Sequence, residues 1–186
     1  MEKQEYFKKE LNLIRDKNVK AFAEGMLDRL PNYFFDVPAS SSLKYHPSFA
    51  LEEHGLVKHV RMAIKIAISL LENENFKSLR KYSDIIIVAL MLHDGYKSGI
   101  VKQKYTAFTH PLIAASEIRK HHETDLKDLL TDEQCELIAT AISSHMGEWS
   151  TSKYDDEVLP KPKTGLQVFV HLADYLSSRK YMGFED

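Results

Sequence analysis

The sequence predicts an all-α protein, a single-domain helical bundle, on three observations. Its apolar residues recur mostly at helical spacing, no stretch alternates as a half-buried strand would, and only 7 Gly and 6 Pro punctuate 186 residues. A chain of this length holds one substantial apolar core, so one compact domain is expected.

Tyr6, Phe7, Leu11 and Ile14, then Val19, Phe22, Met26 and Leu30, spell two N-terminal helices or one broken helix that stops before Pro31. Residues 31–50 mix prolines with a run of serines and read as an irregular loop. An apolar helix follows over 56–71. After the charged link ENENFKSLRKYS, the run DIIIVALMLHD is hydrophobic on every side, as a central core helix must be, and it ends near Gly95. Beyond a further loop, Thr109 is placed to cap a helix that has Pro111 in its first turn and runs to about 121. Thr131, Asp132, Glu133 and Gln134 have the form of a capping region, opening a helix that reaches 145 or 146. A polar loop over 147–162 precedes a last helix at about 165–181.

A formal net charge of -2 and a pI near 6.5 carry no basic footprint, so stable binding of duplex nucleic acid is not expected. An anionic substrate would need a local source of positive charge. The lone Cys135 excludes an intramolecular disulfide framework and any multi-cysteine zinc knuckle, and it suits a reducing cytoplasm. The N-terminal residues alternate charge with hydrophobes, unlike a signal peptide, and the longest apolar run, 85–92, is far shorter than the ~20 residues that span a bilayer. Cytoplasmic localisation without membrane association is the expectation.

Nine histidines are more than composition predicts, and their placement matters more than their number. His93 and Asp94 end the most hydrophobic helix, where an unpaired carboxylate costs on the order of several kcal/mol. A bound cation compensates that charge; so does a helix end that merely meets solvent. His145 continues the stripe Ile138, Ala141, Ile142, and Asp174 follows Val170 and Ala173 on one face. His59 interrupts the apolar helix GLVKHVRMAI, and His110 stands at a helix start. Each histidine alone reads equally as a hydrogen-bonded core or capping residue. Together, separate helices bring imidazoles and carboxylates towards one interior, a ligand set that suits Zn, Fe, Mn, Co or Ni.

This order, His59, His93-Asp94, His110, His145, Asp174, resembles the HD-domain superfamily of metal-dependent phosphohydrolases. The resemblance covers about 45–178; it implies an HD-type core over 45–186, on which helices and a loop at 1–44 pack. It implies that His59, His93, Asp94 and Asp174 bind a first metal and that His110 and His145 bind a second, with Asp94 bridging. The cofactors implied are one or two divalent ions per chain, among Fe, Mn, Zn, Ni, Co and Mg. Lys97 matches a lysine often found three residues after the HD aspartate, where it contacts a substrate phosphate; Asp94 and Lys97 are the implied catalytic pair. The two intermediate histidines resemble the two-metal subset, such as cyclic-dinucleotide phosphodiesterases and dinucleoside-polyphosphate hydrolases. Gly95-Tyr96-Lys97 stands where the former carry Gly-Tyr-Pro, which disfavours that substrate. The approach YHPSFALEEHGLVKHV resembles HD proteins related to a bacterial 3′-to-5′ exoribonuclease, matched at Gly55, Leu56 and His59.

The implied activity is hydrolysis, by metal-activated water, of a small phosphorylated substrate, a nucleotide or short oligonucleotide, through phosphodiesterase or phosphomonoesterase chemistry. The alternative is a non-catalytic HD module that binds a nucleotide or protein partner around a structural metal. A homo-oligomer is compatible with either. Lys102 and Lys104 are further candidates for phosphate neutralisation. Trp149 and Tyr154 either stack on a base or serve packing and rim, and His171 either orients a ligand or packs. His46 and His54 either line the cleft or lie at the surface or behind the ligands, and His121 and His122 are assigned to solvent.

Overall fold

The computed structural model describes residues 2–40 and 46–181. Apart from an isolated bridge between Ser152 and Asp155, its regular structure among the described residues is helical, as the spacing predicts. A 3-10 turn at Lys3–Phe7 leads into α1 (Lys8–Leu11), followed by α2 (Lys17–Arg29) and α3 (Tyr33–Asp36). After a 3-10 turn at Ser48–Ala50 come α4 (Gly55–Glu72), a 3-10 segment (Glu74–Tyr82) and α5 (Ser83–Leu92). The chain continues with α6 (His110–Glu123), α7 (Asp132–Ser143) and α8 (Gly165–Ser177).

Every residue of α5 from Ile85 to Leu92 is buried. A helix without a polar face must be surrounded, and α5 packs against α2, α4, α7 and α8. It is therefore the axle of the bundle, and its C-terminal end delivers His93 and Asp94 to the interior. The N-terminal segment belongs to the same core, since Phe7, Leu11, Val19, Phe22, Met26 and Leu27 are buried in one cluster with α5.

Caps fix where the helices begin. The Asp16 carboxylate accepts from the Asn18 and Val19 amides at the head of α2. Thr131 with Gln134, as the sequence suggests, and Thr164 with Gln167 form reciprocal capping boxes on α7 and α8. Thr109 departs from expectation: it precedes α6, but its side chain makes no capping bond, and Pro111 in the first turn removes one amide that would need a partner.

Three further expectations are corrected. The loop over 31–50 contains α3, whose Tyr33, Phe34 and Phe35 are all buried, so its aromatic residues outweigh the flanking prolines. The charged link is the 3-10 segment Glu74–Tyr82, tied to the end of α4 by Arg80, which donates to the Leu71 and Glu72 carbonyls. α7 and α8 stop short of 145 and 181, at Ser143 and Ser177. The hydroxyls of Ser143 and Ser144 bond back to the Thr140 carbonyl, and those of Ser177 and Ser178 to the Asp174 and Tyr175 carbonyls, competing with the helical ladder. Among the described residues, no helix is long and apolar enough to cross a membrane.

Candidate metal centre

α4 supplies His59, the end of α5 supplies His93 and Asp94, the head of α6 supplies His110, the turn after α7 supplies His145, and α8 supplies Asp174. All of the metal ligands implied by the sequence meet in one cluster. His59 Nε2 lies 3.0 Å from Asp174 Oδ1 and 3.6 Å from Asp94 Oδ2. His93 Nε2 lies 3.5 Å from Asp94 Oδ2 and 3.4 Å from Asp174 Oδ1. The other carboxylate oxygen, Asp94 Oδ1, faces His110 Nε2 at 3.0 Å and His145 Nε2 at 3.8 Å. Asp94 thus turns one oxygen towards each pair of histidines. Lys97, one turn beyond Asp94, donates its amine to Oδ2 at 2.5 Å.

The backs of the imidazoles decide what their fronts can do. His93, His110 and His145 place Nδ1 at 2.6, 2.7 and 2.8 Å from the carbonyls of Leu90, Ala107 and Ile142. A carbonyl only accepts, so each Nδ1 carries a proton, and Nε2 is the nitrogen left to present a lone pair once the ring is neutral. His59 Nδ1 lies 3.0 Å from the Ser177 hydroxyl, which itself donates to the Asp174 carbonyl at 2.7 Å and so must accept from the ring. Four Nε2 lone pairs therefore converge on two carboxylates, and two of them, on His110 and His145, face each other at 3.4 Å.

Acceptors pointed at acceptors repel unless a cation lies between them. His59 Nε2 and His93 Nε2 are buried without a hydrogen-bond partner, a state that is costly unless the atoms serve as ligands. Three overlapping sets have donor atoms close enough to share an ion: His59, His93 and Asp94; His93, His145 and Asp174; and Asp94, His110 and His145. The residues present fit divalent metal.

Electrostatics agree. Burial opposes the charged form of Asp94, yet Lys97, His93 and His110 hold its carboxyl well below the usual range. Asp174 is likewise held low against burial by His93 and His59. Burial opposes charge on His93 too, but the Asp94 and Asp174 carboxylates raise its pKa, so the pocket draws in positive charge. Burial and the nearby His93 push His145 down to about 3, leaving it neutral and ready to ligate.

The cluster opens into a cleft of about 530 Å³. His46 lines it, its ring centroid 4.9 Å from that of His59. His54 turns away to the Phe35 carbonyl and plays no part. Lys102 and Lys104 line an adjoining pocket that shares Lys97 and Thr106 with the cleft. Tyr154 is 85% exposed in a separate groove, whereas Trp149 lies on the cleft wall. His121 and His122, expected in solvent, are half-buried and pair with Asp125 and Asp132. His171 Nδ1 donates to the His145 carbonyl at 2.7 Å and so braces that ligand's backbone. The sequence reading missed Tyr175 and Arg179, which also line the cleft. Their positions one and five residues after Asp174 were the available signal.

No curated protein and no solved structure gives a match to the chain. A family model, the HD domain, matches residues 56–179, from the helix that carries His59 to just beyond the one that carries Asp174. With two thirds of its length matched and the histidine and aspartate cluster gathered inside that span, the chain belongs to the HD domain family, a superfamily of metal-dependent phosphohydrolases.

Proposed function

We propose that the protein is a phosphodiesterase or nucleotidase that hydrolyses a nucleotide or short oligonucleotide at a two-metal site. In this reading residues 45–186 form the phosphohydrolase core, with 1–44 packed on it. His59, His93, Asp94 and Asp174 hold the first ion; His110 and His145 hold the second, with Asp94 shared. Divalent ions bound there would lower the pKa of a water to near neutrality and polarise a phosphoryl oxygen. They would also supply the positive charge that a net charge of -2 does not.

The protein's own groups do the rest. The Nδ1 bonds hold the four rings with Nε2 turned to the cluster, so no ring has to reorient on binding. Lys97 lines the cleft with its amine on Asp94 Oδ2 at 2.5 Å, and it would turn that charge to a substrate phosphate bound beside Asp94. The observation that carries the reading is the division of Asp94, with Oδ2 towards His59 and His93 and Oδ1 towards His110 and His145. The test is elemental analysis of protein purified without chelator, followed by a phosphoester panel with and without chelation. About two ions per chain and chelator-sensitive hydrolysis are expected; full activity in metal-free protein would overturn the proposal.

A further inference from the structure

The cleft wall beyond the metal cluster carries the only tryptophan of the chain. Trp149 is 46% exposed, and its ring runs nearly parallel to that of Tyr175, with centroids 5.8 Å apart and planes 12° apart. The guanidinium of Arg179 lies 4.1 Å from the centroid of the same Tyr175 ring. Its Nε donates to the Tyr175 carbonyl at 3.2 Å and its Nη2 to the Ser178 hydroxyl at 2.7 Å, which fixes the planar fork. Arg29, Arg61, Arg80 and Arg119 each pair with a carboxylate. Arg179 has no such partner among the described residues, although it lines the same cleft as His59, Asp94 and His145.

Nearly half of Trp149 is exposed where it lines the cleft, and Arg179, on the same wall, meets no carboxylate among the described residues. Here a partly open indole face and an unpaired cation are held side by side, next to a site built for phosphate chemistry. A planar aromatic group attached to an anion matches both. We infer that Trp149, Tyr175 and Arg179 form a nucleobase subsite. The indole stacks on the base of the nucleotide whose phosphate lies against the metal ligands, and Arg179 takes a non-scissile oxygen of that phosphate. The inference rests on the phosphohydrolase reading and names its substrate class, nucleoside phosphates rather than sugar or polyol phosphates.

Because Trp149 is the sole tryptophan, its emission reports on the subsite independently of turnover. Adenosine monophosphate added to the metal-loaded full chain should quench that emission saturably, and ribose 5-phosphate, which lacks the base, should not. The wild type should prefer adenosine monophosphate over ribose 5-phosphate in kcat/KM by about 10- to 100-fold, the usual range for one stacked base. Trp149→Leu should bring that ratio towards unity and Trp149→Phe should keep most of it, while unchanged metal content and circular dichroism report an intact fold. Arg179→Gln should raise the concentration needed for half-quenching in a variant that keeps the fluorophore. Equal turnover of the two substrates by the wild type, or unchanged emission at adenosine monophosphate concentrations that saturate turnover, would overturn the subsite. Saturable quenching without hydrolysis of either monoester would support the subsite and overturn the nucleotidase form of the reading; absence of hydrolysis of a dinucleotide as well would overturn the phosphohydrolase reading itself.

Discussion

On the Oδ2 side of Asp94 stand His59, His93, the Asp174 carboxylate and the Lys97 amine, whereas on the Oδ1 side stand His110 and His145 alone. The first half offers a dication two carboxylates. The second offers one oxygen of a carboxylate that is already shared, with Asp174 within reach of His145 but not of His110 among the sets that could hold an ion. Their supports differ as well. His59 and Asp174 project from within α4 and α8, while His110 opens α6 and His145 lies in the turn beyond α7. Under the proposed two-metal reading, charge and anchoring both predict the first half as the tighter site and the second as the more easily disturbed, with Asp94 linking them.

The largest effect should follow from breaking that link. Asp94→Asn removes charge from both halves, so metal content should fall to near zero and turnover by on the order of 10³-fold, the loss expected when metal-derived stabilisation of several kcal/mol disappears. Retention of either ion at wild-type affinity would separate the halves and refute the bridge. Lys97→Met removes the amine that bonds Asp94 Oδ2 but leaves every proposed metal ligand in place. Metal content should persist while kcat/KM drops by about 2–4 kcal/mol of transition-state stabilisation. Unaltered kcat/KM across phosphoesters would leave Lys97 as no more than a partner that neutralises Asp94. The smallest effect should come from the turn that supports the second half. Gly147 has φ +60°, and a Cβ there would lie 2.2 Å from His171 Cε1. Gly147→Ala should therefore push His171 away from the His145 carbonyl, cost about 1–2 kcal/mol of stability and weaken the second ion more than the first. Equal weakening of both, measured by metal titration, would contradict the idea that His145 is braced through its backbone.

The two halves were not equally legible in the sequence. His93 and Asp94 stood out because an uninterrupted apolar helix ends on them, and Asp174 because a carboxylate on the Val170 and Ala173 face has few bland explanations. α5 itself, read as the core from DIIIVALM, is buried from Ile85 to Leu92. His110 and His145 gave weaker signals, since helix-end histidines are often caps; His145 had its place on the Ile138, Ala141, Ile142 stripe, and His110 only its order relative to the others. The exact ends of α7 and α8 were hidden because serine hydroxyls that bond back to carbonyls have no periodic signature. Nor could spacing reveal the packing of Trp149, Tyr175 and Arg179, which joins a loop to a helix end through tertiary contact. The 3-10 segment Glu74–Tyr82 was concealed by its charges; it has no buried residue and is held by Arg80.

The most direct test of two unequal metal sites joined by Asp94 is a calorimetric metal titration of the apo-protein beside His110→Ala and His145→Ala. The account predicts two steps for the wild type, the first tighter, and loss of mainly the second step in both variants, with circular dichroism unchanged because Ile86, Ala89, Leu90, Ile138 and Ile142 carry the core. A single step of one ion per chain, the same in the wild type and in both variants, would contradict it and reduce His110 and His145 to structural histidines beside a one-metal site.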